Sequence, residues 1–143
     1  MKALFRIRAS ASRLFRAVVE RLFGKPAIPV RLPLLGSTAE DLVGIWGKSC
    51  GPASLLPPGT DARMFEFCGC RAAVQFIDGK AAMILLWRLE GAIAEADLAR
   101  ILEVAACEPL KWLARDVWRS RDGASAVLVS SGTLRLQSQS FCK

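Results

Sequence analysis

The sequence predicts an α+β fold, with an antiparallel sheet of about six strands in two meanders and helices on one face. Asp-Gly pairs at 78–79 and 122–123 each interrupt an apolar stretch. This arrangement favours hairpins, because a type I′ turn needs positive φ at both central residues. Residues 37–47 and 92–106 show the three- and four-residue apolar spacing of helices. The resulting order is helix, three strands, helix, three strands.

Length and composition indicate one domain with an attached arm. The 143 residues are 52% hydrophobic and 23% charged, which suits a single core. Residues 1–24 have the spacing of a basic amphipathic helix, and residues 25–36 carry three prolines and predict an extended linker. Residues 37–143 form the α+β domain.

The helix at 37–47 has a capping-box pattern, with Ser37 as the expected cap and Glu40 reaching back to it. Residues 82–87 are apolar on both faces and predict a central strand. Residues 133–141 alternate polar and apolar side chains, which we interpret as an edge or near-edge strand.

The two Asp-Gly hairpins have similar flanks, FIDGKAAMILL and SRDGASAVLVS, with the turns 44 residues apart. This repeat predicts a degenerate α-β-β-β duplication. The alternative is a single α+β meander in which two hairpins converged on one turn type.

The net charge of +7 lies in the arm. Residues 1–31 hold eight basic residues and one acidic residue, whereas the rest of the chain holds twelve of each. The neutral body lacks the basic footprint of a nucleic-acid-binding domain. Arginines interrupt the apolar runs of the arm, so we expect neither a secretory signal nor a membrane span.

An amphipathic arm of this kind can lie in the interface of an anionic membrane or contact a partner. It also fits a helix packed on the body or on a second copy, a nucleic-acid-binding segment or an organelle targeting segment. The candidate contact residues are Arg6, Arg8, Arg13, Arg16, Arg21, Leu14, Phe15, Val18 and Leu22.

The chain contains no histidine and no tyrosine. This removes the commonest general base, the commonest neutral metal ligand and the Ser-His and Cys-His pairs. The sequence has no P-loop, dinucleotide-binding glycine pattern or nucleophile elbow. We therefore assign no catalytic residue, no metal ligand and no cofactor, and we favour a non-enzymatic role.

The five cysteines are Cys50, Cys68, Cys70, Cys107 and Cys142. Their odd number and their spacing favour reduced, buried thiols over a disulfide scaffold. Cys68 and Cys70 flank Gly69, which predicts a turn between two strands. The alternatives are a redox pair at Cys68 and Cys70, or two thiolates of a metal site.

Four tryptophans are expected to be large core anchors with arginine stems lying over them. The alternative is stacking on bases or carbohydrate, since Arg115, Arg119 and Arg121 lie close in sequence to the last two tryptophans. The four are Trp46, Trp87, Trp112 and Trp118.

From Ser37 onward, the layout of the chain resembles small uncharacterised bacterial proteins of the secreted or envelope type. The residues that carry this resemblance are 46–47, 74–80, 112 and 118–124. Up to Arg88, the capped helix ending in glycine, the proline loop and the F-x-D-G-K strand are also similar to lipoproteins of the SmpA/OmlA sort. The resemblance implies an envelope location and transfers no catalytic residue.

We expect a non-catalytic interaction module, tethered to a membrane surface by its basic N-terminal helix. Its partner would be a protein or an anionic membrane. One alternative is a nucleic-acid-associated protein that uses the same arm, and another is a thiol redox protein that uses Cys68 and Cys70. The expected location is cytoplasmic and membrane-peripheral, or periplasmic or secreted if a signal peptide precedes the sequence.

Overall fold

The computed structural model describes residues 33–52, 61–129 and 132–139. In these ranges the chain forms two helices, α1 (Ala39–Trp46) and α2 (Glu95–Val104), and eight strands. The strands are β1 (Gly51–Pro52), β2 (Asp61–Phe67), β3 (Cys70–Ile77), β4 (Lys80–Arg88), β5 (Lys111–Ala114), β6 (Val117–Arg119), β7 (Ser125–Leu128) and β8 (Leu134–Gln137). The predicted α+β class with an antiparallel sheet is confirmed.

The strands form one open sheet in the order β1-β2-β3-β4-β8-β7-β6-β5. Each helix is followed by a four-strand meander, and the last strands of the two meanders pair at the centre of the sheet. In that pairing Ile84 of β4 lies opposite Leu136 of β8. The expected central position of residues 82–87 is therefore confirmed.

The predicted count of about six strands is too low, because the two edge strands β1 and β5 were not expected. β1 has only two residues and ends in Pro52, and all four residues of β5 are exposed. The edge position expected for residues 133–141 is also wrong, since β8 pairs with both β4 and β7. Alternation of polar and apolar residues indicates that one face of a strand is buried. It does not indicate whether the strand has a neighbour on one side or on both.

The start of α1 differs from the prediction by one residue. Thr38, not Ser37, is the N-cap, and Asp41, not Glu40, completes the capping box. The Asp41 amide donates to Thr38 Oγ1 at 3.2 Å, and the Thr38 amide donates to Asp41 Oδ2 at 3.0 Å. The Ser37 hydroxyl donates instead to the Pro33 carbonyl at 2.5 Å, so it is not available to cap the helix.

Both helices are shorter than their predicted ranges. α1 ends as expected at Gly47, whose amide donates to the Val43 carbonyl at 2.8 Å. α2 begins at Glu95 and ends at Val104, inside the predicted range 92–106. Its N-cap, Ala94, has no side chain that could accept a hydrogen bond from the first turn.

The first Asp-Gly turn has the predicted type I′ geometry, with φ of 53° at Asp78 and 78° at Gly79. The second does not, since positive φ occurs at Gly123 but not at Asp122. There the Ser120 amide donates to the Ala124 carbonyl at 2.9 Å, so three residues form the loop. Serine and aspartate side chains support this longer loop, because the Ser120 hydroxyl donates to Asp122 Oδ1.

The two Asp-Gly turns also occupy different places in the two meanders. The first joins the third and fourth strands of its meander, and the second joins the second and third strands. The turn that corresponds in position to Asp122-Gly123 is Cys68-Gly69, between β2 and β3. The two Asp-Gly turns are therefore not equivalent in position and do not support a duplication, which stays a prediction.

The main core lies on one face of the sheet. Alternate residues of β2, β3, β4, β7 and β8 form one hydrophobic cluster with residues of both helices. In this cluster the Trp46 ring of α1 stacks on Phe67, with centroids 4.6 Å apart, and meets Phe65 edge-on at 5.7 Å. The Trp46 anchor expected from the sequence is confirmed.

Candidate interaction surface

The strand β5 forms one edge of the sheet, and it differs from the opposite edge. At the opposite edge, β1 ends in Pro52, which has no backbone N–H to offer a further strand. In β5 the sequence Lys-Trp-Leu-Ala contains no proline, and each of its residues is exposed. An exposed apolar edge strand is a template for pairing with another chain.

Trp112 of β5 lies at the end of a cross-strand row on the core face of the sheet. It pairs with Trp118, which pairs with Ala126, which in turn pairs with Leu136 of the central strand β8. Ala126 and Leu136 are buried, and Trp118 is partly buried and packs against the core. The side chain of Trp112 is 67% exposed, so the expectation that it anchors the core is wrong.

Leu113 adds a second exposed apolar side chain beside Trp112. It is 57% exposed and lies where the pairing of β5 with β6 shifts register, between Trp112 and Ala114. A register shift of this kind bends an edge strand and increases its twist. The core covers neither of these two side chains.

The turn between β5 and β6 contains Arg115 and Asp116. Asp116 has a φ of 59°, a left-handed conformation that aspartate adopts more readily than most residues. Its carbonyl accepts a hydrogen bond from the Leu128 amide at 2.9 Å, which ties the turn to β7. The hairpin is therefore held to the sheet although its outer strand is exposed.

Three basic residues belong to the same hairpin as these apolar side chains. Lys111 lies directly opposite Arg119 across the β5–β6 pair, on the face away from the core. Both are exposed, as is Arg115 in the turn. None of the three forms an ion pair with another residue of the described ranges. We call Lys111, Trp112, Leu113, Arg115 and Arg119 the hairpin surface.

The structure places Cys68 within a turn and Cys70, the other member of the alternative redox pair, at the start of the next strand. Cys68 and Gly69 have φ of 49° and 75°, so they form the two-residue turn between β2 and β3. Cys68 is exposed, whereas Cys70 is 1% exposed and belongs to the core cluster. The Cys70 thiol is 3.8 Å from the Cys68 carbonyl oxygen, and both cysteines are free thiols.

Burial raises the pKa of the Cys70 thiol above its ordinary value. Arg88, its partner across β3 and β4, acts in the opposite direction, and Asp97 of α2 raises the pKa further. The buried thiol therefore keeps its proton near neutral pH. The nucleophile in thiol exchange is the thiolate, so this environment disfavours attack by Cys70.

A groove of about 520 Å³ lies at the end of the sheet where the two Asp-Gly turns meet. Its lining includes Asp78, Lys80, Cys107 and Asp122. Turn geometry already accounts for Asp78, and Asp122 accepts hydrogen bonds from the Ser120 hydroxyl and the Ala124 amide. These carboxylates thus have structural roles, and we assign no chemistry to the groove.

In the ranges that the structure describes, no three cysteine or acidic side chains lie close enough together to hold a metal ion. Neither helix in these ranges is long and apolar enough to cross a bilayer. The predicted contact residues of the arm, from Arg6 to Leu22, lie outside the described residues.

No protein-family description matches the chain, and no curated protein or solved structure is significantly similar to it. The resemblance to envelope proteins and lipoproteins therefore stays a prediction.

Sequence reasoning missed the hairpin surface because it assigned no element to Lys111–Ala114. A signal was present in the sequence. The pairs Trp112-Leu113 and Val117-Trp118 are apolar and lie on either side of Arg115-Asp116. Two short apolar runs separated by a polar turn are typical of a hairpin.

Proposed function

We propose that this protein is a non-catalytic interaction module that binds a protein partner through the hairpin surface. The observation that carries the proposal is the exposure of Trp112, which is 67% exposed at the edge of the sheet. Tryptophan and arginine are enriched among the residues that dominate binding energy at protein interfaces. In this hairpin the indole lies on the core face while Lys111 and Arg119 lie on the other, so the edge offers an apolar contact on one face and a cationic contact on the other.

We also infer that the basic arm tethers the module to an anionic membrane surface. The support is the charge distribution, since residues 1–31 hold eight basic residues and one acidic residue whereas the rest of the chain is neutral. The contact residues would be the five arginines from Arg6 to Arg21 and the apolar residues Leu14, Phe15, Val18 and Leu22. Anionic lipids are concentrated on the cytoplasmic leaflet, so the proposed location is cytoplasmic and membrane-peripheral.

The same charge supports a nucleic-acid-associated protein as the second candidate. Binding through the arm to DNA or RNA would fall steeply with salt and would not require vesicles. A thiol redox protein is the weaker candidate, because burial keeps Cys70 protonated while its neighbour Cys68 is exposed.

Site-specific photocrosslinking in the producing cells tests the module proposal. A photoreactive phenylalanine analogue replaces Leu113, and a matched control carries it at Val43, which is an exposed apolar residue on α1. We expect a discrete crosslinked protein from position 113 and none from position 43. The same product from both positions, or none from position 113, would contradict a partner at the hairpin surface.

A further inference from the structure

The outer edge of β5 has the backbone groups that another strand would need. Its inner edge pairs with β6, and β5 is the last strand in the sheet order. In an antiparallel ladder each strand directs alternate N–H and C=O groups to either side. Lys111–Ala114 can therefore offer backbone N–H and C=O groups to an added strand, except where the register shift beside Leu113 interrupts the ladder.

The two faces of β5 differ in chemistry. On the core face Trp112 presents an exposed indole beside Trp118. On the other face Lys111 lies directly opposite Arg119. Like charges in that arrangement repel each other and destabilise the strand pair. A negative charge placed next to Lys111 would relieve this repulsion.

From this pattern we propose that β5 accepts an extended strand from a partner protein in which acidic and apolar residues alternate. This inference rests on the proposed function, because it names the partner of the same hairpin surface. Side chains of a strand alternate between its faces, so one set of the partner's residues would lie beside Trp112 and the other beside Lys111. The apolar residues of the partner would pack against the Trp112 indole. Its acidic residues would lie beside the cationic side chains of Lys111 and Arg119.

A second copy of this chain fits the edge less well. Residues 111–121 hold four basic residues and one acidic residue, so two copies would bring like charges together. The register shift beside Leu113 and the lysine at the start of β5 are features by which edge strands avoid pairing with their own kind. The lysine, unlike the register shift, favours a partner of opposite charge.

Fluorescence anisotropy with labelled peptides tests the inference on the full chain. The probe is a seven-residue peptide that alternates glutamate and valine. We expect saturable binding that weakens with salt and that is lost when lysine replaces glutamate in the peptide. Binding should also be lost with N-methylated amides at two consecutive central residues, because one of the two amides faces β5 and can no longer donate to it.

Substitutions in β5 and β6 test the same contact from the protein side. K111E/R119E should weaken binding of the alternating peptide by about tenfold or more, and W112S should weaken it to a similar degree. The control K48E/R100E changes two exposed cations outside the sheet and should bind within about twofold of the native chain. The peptide variants require no change in the protein, so they remain informative if a substituted chain misfolds.

Three results would overturn the inference. A peptide of the same composition with its valines and glutamates in separate blocks could bind as well as the alternating peptide. Sedimentation could show a dimer that W112S abolishes, which would make a second copy the occupant. An oligonucleotide could bind in a manner that K111E/R119E abolishes while the peptide does not bind, which would make the surface a nucleic-acid site.

Failure of this inference can be distinguished from failure of the proposed function. A crosslinked protein at position 113 without peptide binding would retain the module and reject the extended acidic partner. Peptide binding without a crosslinked protein would support the preference of β5 for an alternating acidic and apolar strand. It would contradict the proposal that a cellular protein binds at the hairpin surface.

Discussion

Trp112 and Trp118 are direct partners across the outermost strand pair, and the core of the protein ends between them. Trp118 packs against the main cluster, whereas Trp112, one strand further out, is 67% exposed. The row that contains them passes through Ala126 to the buried Leu136 at the centre of the sheet. The same type of side chain thus serves the core at one position and faces solvent at the next.

Replacement of Trp112 by serine should change the free energy of unfolding by less than about 0.5 kcal/mol, because an exposed side chain contributes little to the core. Urea denaturation followed by circular dichroism measures this difference. A loss of more than about 2 kcal/mol would show that Trp112 supports the fold.

Trp46 provides the matched comparison, since it is a buried tryptophan that stacks on Phe67. Its replacement by alanine should cost about 3–5 kcal/mol, because it leaves a cavity between α1 and β2. Similar losses for the two tryptophans would contradict the assignment of one to the core and the other to the surface.

The centre of the fold was predictable, and its edges were not. The apolar run in β4 and the Asp78-Gly79 turn identify a central strand and a tight hairpin from local sequence alone. The edge strands lack such signals, because β1 has two residues and the residues of β5 are exposed on both faces. Pairing with the neighbouring strand, which is a tertiary effect, fixes their conformation.

The capping box of α1 gives a second prediction. T38A should lower the stability by about 1 kcal/mol, because it removes the acceptor for the Asp41 amide. E40A should have little effect, since Asp41 rather than Glu40 returns the hydrogen bond to the cap. A loss of stability for E40A but not for T38A in thermal unfolding would instead favour the Ser37–Glu40 cap that the sequence predicted.

Cys70 should make the stability depend on pH in the alkaline range. Its pKa is raised in the folded state by burial, so the unfolded chain releases this proton at lower pH than the folded chain. The stabilisation is then complete below the ordinary thiol pKa and is lost as the pH rises above it. One such proton contributes at most about 1.4 kcal/mol per pH unit.

The measurement compares the native chain with C70A by urea denaturation between about pH 7 and pH 10. We expect the native chain to lose more stability than C70A above about pH 8.5, the ordinary thiol pKa. Other alkaline titrations are common to both proteins and cancel in the difference. Parallel curves would show that the Cys70 thiol ionises equally in the folded and unfolded states.

The arm should control binding to anionic vesicles. R13Q/R16Q/R21Q in the full chain should lower the partition coefficient by roughly a hundredfold, because each cation near the surface contributes about 1 kcal/mol. Flotation with vesicles that contain phosphatidylserine measures this loss. Binding should also decrease with added salt.

The control K48Q/K80Q/R100Q removes the same charge from exposed positions of the body. It should bind vesicles like the native chain if the arm makes the contact. Equal losses in the two triple variants would attribute the binding to net charge. No vesicle binding by the native chain, together with salt-sensitive retention on DNA or RNA, would favour the nucleic-acid candidate.

The candidate site was less predictable than the fold, for a physical reason. A tryptophan contributes so much buried area that the core is its default location in a sequence reading. Whether Trp112 reaches that core depends on the number of strands between it and the helices. That number followed from the pairing of β4 with β8, which no local pattern in either strand specifies.

The unequal edges of the sheet determine how an assembly could grow. A fibre requires two reactive ends on every subunit, and among the described residues Pro52 offers no backbone N–H at one edge while β5 leaves the other open. Strand addition would therefore stop after a single step. The expected complex has a stoichiometry of one partner strand to one chain, so the protein would act as a monovalent receptor and would not nucleate a polymer.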